Sequence, residues 1–404
     1  MQNVEAASLK RNPDSIHFLM DEAALRRRGN LKWSTYGEDV LPAFVAEMDY
    51  AVAPAIADAL SRITADQRYG YPARIGSCTP ASVARLYAER MSRIFDWCPD
   101  PENVVVVSDL VQAIFTTVLA FLLEGDGVAV QEPCYPPFRD AIVSTGRVFT
   151  PVETVDDGNR LSIDFDNLAN TIGPQTRLLM LCNPHNPTGR VLDRHDLEKL
   201  AELALARDLL IISDEVHCEI TFDQFRHIPI ASLGEEIGRR TITLGSAAKS
   251  FNTAGLKCAF VHFGTAELRD RYLKAFPRRV IVPGHAMGID ATTAAWESSH
   301  QWQHDVRSYL ADMRGLLMQR LRKDLPEIRV YAPEGTYMVW LDCSGLRLPL
   351  SAYDFFLGEA HVALSAGQTF VTGGEGFARL NFATSEAILS EILERMTHAA
   401  RTRA

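Results

Sequence analysis

Leu178-Leu179-Met180-Leu181-Cys182-Asn183-Pro184-His185-Asn186-Pro187-Thr188-Gly189 joins a strand to its own stop signal. The opening apolar run shows no alternation, which is the pattern of a strand covered on both faces. Asn183-Pro184 and Asn186-Pro187 then end it, because Asn-Pro pairs start turns and Pro donates nothing to a ladder. The same phrase recurs on either side. Upstream, Val104-Val105-Val106-Val107 leads into Ser108-Asp109-Leu110-Val111-Gln112 and a helical stretch to residue 123, and Val128-Ala129-Val130 leads into Glu132-Pro133-Cys134-Tyr135-Pro136-Pro137. Downstream, Leu209-Leu210-Ile211-Ile212 is followed by Ser213-Asp214-Glu215-Val216-His217. Thr241-Ile242-Thr243-Leu244 is followed by Gly245-Ser246-Ala247-Ala248-Lys249-Ser250-Phe251-Asn252. Residues 196–207 are helical in pattern, with Asp193 as N-cap. Strands alternating with helices predict an α/β fold with a mostly parallel sheet flanked by helices.

The pattern changes near residue 290. Residues 291–324 read as one long helix that ends before Pro326; strands follow at 330–331, 336–341 and 377–382, then a helix over 385–400. That is the composition of a smaller α+β unit. A chain of 404 residues also exceeds what one hydrophobic core usually supports. The expected division is an N-terminal arm (1–50), a large domain (51–290) and a small C-terminal domain (291–404).

Composition narrows the function classes. A formal charge of −10 argues against nucleic acid, whose binders present a basic face, and against an anionic membrane surface. The apolar runs fall far short of the ~20 residues that span a bilayer. The seven cysteines are odd in number, widely spaced and without a C-x-x-C pair, and the first twelve residues hold no apolar run; both fit a reducing cytoplasm. His185 and His217-x-Glu219 do not make a metal-ligand spacing, so no metal is expected.

In open α/β sheets, ligands bind outside the carboxyl ends of the strands. Five such ends here supply a helix N-terminus for an anion, an aromatic ring, an amide, a carboxylate and an amine. Singly, each has an ordinary explanation: Lys249 as a solvated charge, Asp214 as a helix cap, Tyr135 as core, the Asn-Pro pairs as turns. In this order they are what a pyridoxal 5'-phosphate site requires.

The strings Asn183–Gly189, Ser213-Asp214-Glu215 and Ser246-x-x-Lys249 resemble pyridoxal-phosphate enzymes of the aspartate-aminotransferase fold (fold type I). Lys32-Trp33, residues 45–50, Tyr69-Gly70-Tyr71, Gln131–Tyr135, Ser250-Phe251-Asn252, Gly335-Thr336-Tyr337 and Arg379–Ala383 are similar to the MalY/PatB branch of cystathionine beta-lyase-like C–S lyases. The resemblance runs from about residue 30 to the C-terminus. It implies that Lys249 carries the cofactor and acts as proton base, and that Asp214 faces the pyridine nitrogen. Asn186 and His217 would serve the ring oxygen, and Tyr135 the ring face. Ser246 and the N–H groups of Leu110, Val111 and Gln112 would hold the phosphate. Arg379 would hold the substrate carboxylate by two parallel hydrogen bonds, a geometry Lys does not supply. Tyr71 would reach the site of a second subunit, which implies a homodimer with shared sites.

The implied reaction is α,β-elimination from a cysteine S-conjugate or cystathionine-like thioether, giving thiol, pyruvate and ammonia. An aminotransferase, or a decarboxylating or oxidative deaminase, would begin at the same site, and the fold does not choose between them. The chain departs from the branch at Glu47, Tyr50, Asp109 and Phe370-Val371, changes expected to cluster where the substrate side chain lies. A carboxylate at position 109, beside a phosphate, is expected to turn toward solvent or substrate.

Overall fold

The computed structural model describes residues 17–402 apart from 72–74, 77, 159, 223, 278 and 279. Seven strands form the central sheet in the spatial order Val104–Val107, Ala259–Phe263, Thr241–Gly245, Leu210–Asp214, Thr176–Cys182, Gly127–Gln131, Val148–Val152. Only Ala259–Phe263 runs antiparallel to its neighbours. All residues of Gly127–Gln131, Thr241–Gly245 and Ala259–Phe263 are buried, as strands covered on both faces require. One face packs on Ile114, Val118, Phe138, Ile142 and Tyr272, the other on Leu168, Leu197, Leu200 and Ala204. The Ala259–Phe263 strand escapes the sequence pattern because His262 interrupts it. That imidazole is buried edge-on against Trp97.

The long helix expected over 291–324 is two helices, Ala286–Ser298 and His300–Asp324. Ser299 breaks it: its hydroxyl donates to the Ala294 carbonyl at 3.0 Å, competing with the helical ladder. Beyond it, Arg329–Val330, Met338–Asp342, Phe377–Asn381 and Ser365–Ala366 form a four-stranded antiparallel sheet. Among the described residues, no helix is long and apolar enough to cross a membrane.

The N-terminal segment ties these units together. Leu41–Pro42 pairs in parallel with Val362–Ala363. Asn381 Nδ2 then donates to the carbonyls of Val45 and Glu47, both at 2.7 Å. Asn252, itself left-handed at φ 57°, donates to Met48 and Tyr50 and accepts from the Met48 N–H. Val45 is held at φ 48°, an unfavourable conformation for a β-branched residue that surrounding bonds must enforce. Asp49 anchors the segment, accepting from Lys32 Nζ at 2.8 Å and Trp33 Nε1 at 2.7 Å, all buried. Removing one member of a buried pair leaves the other charge uncompensated. Asp49→Ala should therefore cost about 3–5 kcal/mol of stability, read by urea denaturation; a loss below about 1 kcal/mol would show that the pair does not anchor the arm.

Candidate active site

The strand ends are level. Cys182 pairs with Asp214, and Asp214 with Leu244, so the segments that follow these three strands open onto one cavity of about 470 Å³. Its wall includes Lys249, Asp214, Asn186, His217, Tyr135, Ser246, Leu110, Val111 and Arg379. Tyr71 is fully exposed and does not line its own chain's cavity; Gln112 does not line it either.

Local structure explains each placement. Gly189, at φ 74°, lets the loop after Cys182 meet the small unit: a Cβ there would lie 2.6 Å from Pro333 Cβ. Its carbonyl accepts from Glu334 and Gly335, which fixes the loop carrying Asn186. Ser246 accepts from the Ala248 N–H at 3.0 Å and donates to the Cys258 carbonyl at 2.7 Å, starting the short helix Ala248–Phe251 that carries Lys249. The half-buried Lys249 donates from Nζ to the Ala46 carbonyl at 2.8 Å, and Tyr337 Oη donates to the same oxygen at 2.9 Å. Burial, reinforced by Arg379, brings the Lys249 amine down to about 8 against the pull of Glu47 and Asp214.

Asp214 is buried at the floor, with Oδ1 accepting from the Val216 N–H at 3.1 Å. Burial pushes its carboxyl up to about 7, opposed by that N–H and by Lys249. His217 packs edge-on to Tyr337, and burial, then Lys249 and Arg379, hold its imidazole neutral. The Arg379 guanidinium donates from Nη1 to Asn186 Oδ1 at 2.9 Å and from Nη2 to Ser365 Oγ at 3.0 Å, above the Phe370 ring at 4.9 Å. Burial lowers it to about 10, so it stays charged.

One departure from the branch behaves unlike the expectation, and a second has partners that the sequence did not disclose. Tyr50 lies in the aromatic core with Phe18 and Tyr309, its hydroxyl bonded to the Thr384 carbonyl, away from the cavity. Asp109 lines the cavity with its side chain part-exposed. It caps the helix Leu110–Phe121, with Oδ1 accepting from Val111 at 2.8 Å and Gln112 at 3.1 Å, and pairs with Lys257. The physical reason is that first-turn N–H groups need acceptors, and Asp is among the best N-caps. Burial alone would raise its pKa, but Lys257 and the two N–H groups outweigh it and hold the carboxyl below its usual range. Sequence reading assigned no role to Ala46, Tyr337, Ser365 or Lys257. The first two lay within quoted strings; Ser365 carried no signal.

These residues fit pyridoxal phosphate. Asp214 is a buried carboxyl raised for want of a full cationic partner, which a protonated ring nitrogen would provide. His217 Nδ1 and Arg379 Nε are buried without a partner.

The chain belongs to the aminotransferase class I and II family, whose sequence profile matches residues 45–396. It is 30% identical to cystathionine beta-lyase PatB of Bacillus subtilis (strain 168), over 92% of this chain and 96% of that protein. It is 29% identical to a cystathionine beta-lyase of Corynebacterium glutamicum, over 92% and 97%. The crystal structure of cystalysin from Treponema denticola, which contains pyridoxal 5'-phosphate, superposes with a TM-score of 0.89 at 25% identity, covering 96% of this chain and 99% of that one.

The two shifted groups give a pH signature in cofactor-free protein. Asp214 titrates above its ordinary 3.8, so the unfolded chain binds fewer protons and stability falls as pH rises from about 4 to 7. Lys249 titrates below 10.5, so the unfolded chain binds more and stability rises from about pH 8 to 10.5. Urea midpoints should show the first slope flattened in Asp214→Asn and the second in Lys249→Met. Slopes unchanged in both variants would contradict these environments.

Proposed function

We propose that the protein is a pyridoxal-phosphate-dependent C–S β-lyase that cleaves a cysteine S-conjugate or cystathionine-like thioether to thiol, pyruvate and ammonia. The observation that carries this is one cavity presenting an amine, a buried carboxyl and a buried guanidinium in a chain similar throughout to cystathionine beta-lyases. When bound, pyridoxal phosphate supplies a carbonyl carbon for the substrate amine and an electron sink for bonds broken at Cα.

This chain's residues do the rest. Lys249 would hold the cofactor covalently; once the substrate amine displaces it, the freed ε-amine, whose pKa burial brings down to about 8, is placed to take the Cα proton. Asp214 commits Oδ1 to the Val216 N–H, which leaves Oδ2 as the oxygen that would serve the ring nitrogen. Asn186 and the neutral His217 would serve the ring oxygen, and Tyr135 the ring face. Ser246 and the start of the helix Leu110–Phe121 hold the phosphate. Of the three N–H groups named for it, Val111 and Gln112 already serve Asp109, leaving Leu110. Arg379 binds the substrate carboxylate, its fork steadied by Asn186, Ser365 and Phe370. That alignment fixes which Cα bond lies against the ring.

We also read the enzyme as a homodimer with shared sites. Tyr71 is fully exposed, and Tyr69, Ile75, Val280 and Val282 leave further apolar surface; the Val282 carbonyl bonds Ser108 at the cavity wall. Among the described residues no two cysteines form a disulfide, which fits the cytoplasm.

With a good β-thioether substrate, thiol and pyruvate should appear in equal amounts without added keto acid. Turnover that stops after one equivalent and resumes only with a keto acid would mark an aminotransferase instead. Arg379→Lys should lower kcat/KM roughly a hundredfold, since a small misplacement of the reacting bond costs that much. Mixing inactive Tyr71→Ala and Lys249→Ala subunits should restore part of the activity; confirmed hybrids without recovery would argue against shared sites.

A further inference from the structure

Asp109 and Lys257 form an ion pair inside the wall of the cavity that also presents Lys249 and Asp214. The pair is part-exposed, and both Asp109 oxygens are engaged. One Asp109 oxygen takes the first-turn N–H groups of Val111 and Gln112, and the other takes Lys257 Nζ. The positive groups at this end of the cavity are therefore already partnered by an anion of the protein's own. A phosphate brought to Ser246 and Leu110 meets a fixed negative charge and a lysine that has to serve two anions. Like charges at a few ångströms repel, and a cation shared between two anions satisfies neither fully. The other charged side chains facing the cavity, Lys249, Arg379, Asp214 and Glu47, line the wall with them.

Resting on the pyridoxal-phosphate reading, we propose that Asp109 is an internal competitor for the groups that hold the cofactor's phosphate. Lys257 is the counter-ion shared between the two. In the cofactor-free chain Asp109 caps the helix and neutralises Lys257; with cofactor bound, the pair weakens the hold on the phosphate and makes the cofactor exchangeable.

The test is equilibrium titration of cofactor-free protein with pyridoxal 5'-phosphate, followed by visible absorbance, with inorganic phosphate as competitor and pyridoxal as the phosphate-free control. Asp109→Asn keeps a good N-cap, and Asp109→Ser is a second neutral cap should the first fold poorly. Both should bind pyridoxal phosphate about tenfold more tightly than the unmodified chain, with inorganic phosphate also gaining. Lys257→Gln should bind about tenfold more weakly, and the double variant D109N/K257Q should return near the starting affinity. Pyridoxal should bind all four alike. Equal or weaker binding by both Asp109 variants at unchanged thermal stability would overturn the proposal, as would an equal gain for pyridoxal. Either result leaves the cofactor reading intact. An unmodified chain that binds no pyridoxal phosphate overturns both.

Discussion

A single carbonyl, that of Ala46, accepts from Lys249 of the large sheet's loops and from Tyr337 of the small sheet's approach. Through it the N-terminal segment and the loops of the large and small sheets meet within one hydrogen-bond radius of the Lys249 amine. The segment can present that oxygen only because its neighbours are pinned: Asn381 holds Val45 and Glu47, and Asn252 holds Met48 and Tyr50. The unfavourable φ of Val45 is the local cost of aiming the turn inward. The wall beside Lys249 is thus made of backbone that belongs to neither sheet.

The electrostatics follow from burial more than from pairing. Asp214, His217, Lys249 and Arg379 are all shifted first by removal from water, and only then by one another. An amine brought toward neutrality, a carboxyl brought up to meet it and a guanidinium that stays charged make a site with proton donors and acceptors poised near physiological pH. Asp109 is the exception, where explicit partners defeat desolvation.

How much of this the sequence discloses depends on the range of the interaction. Strands buried on both faces announce themselves as apolar runs, and the residues just past them must face the ligand edge, so Asn186, Asp214, Ser246 and Lys249 could be placed from order alone. Asp193 was legible as a cap because capping is local. Tyr50 was not legible as core, since its partners Phe18 and Tyr309 are distant in the chain. The Ser299 break hides in a continuous helical pattern, and the partner of Asp109, Lys257, lies too far along the chain for a local pattern to reveal it. Ser365 reaches Arg379 only through pairing of Ser365–Ala366 with Phe377–Asn381, a register no local pattern encodes.

The cysteines around the cavity carry a further consequence. Cys182 and Cys258 line it, Cys134 precedes Tyr135, and none is in a disulfide. An enzyme that releases thiols bathes its own interior in reducing and, once oxidised, disulfide-forming product. Exchange requires a thiolate, yet burial drives Cys134 up to about 12, Cys258 up to about 11 and Cys182 well above its usual range. The same desolvation that shifts Asp214 and Lys249 disfavours the thiolate at these three sulfurs, which works against mixed-disulfide formation between a released thiol and the cavity wall.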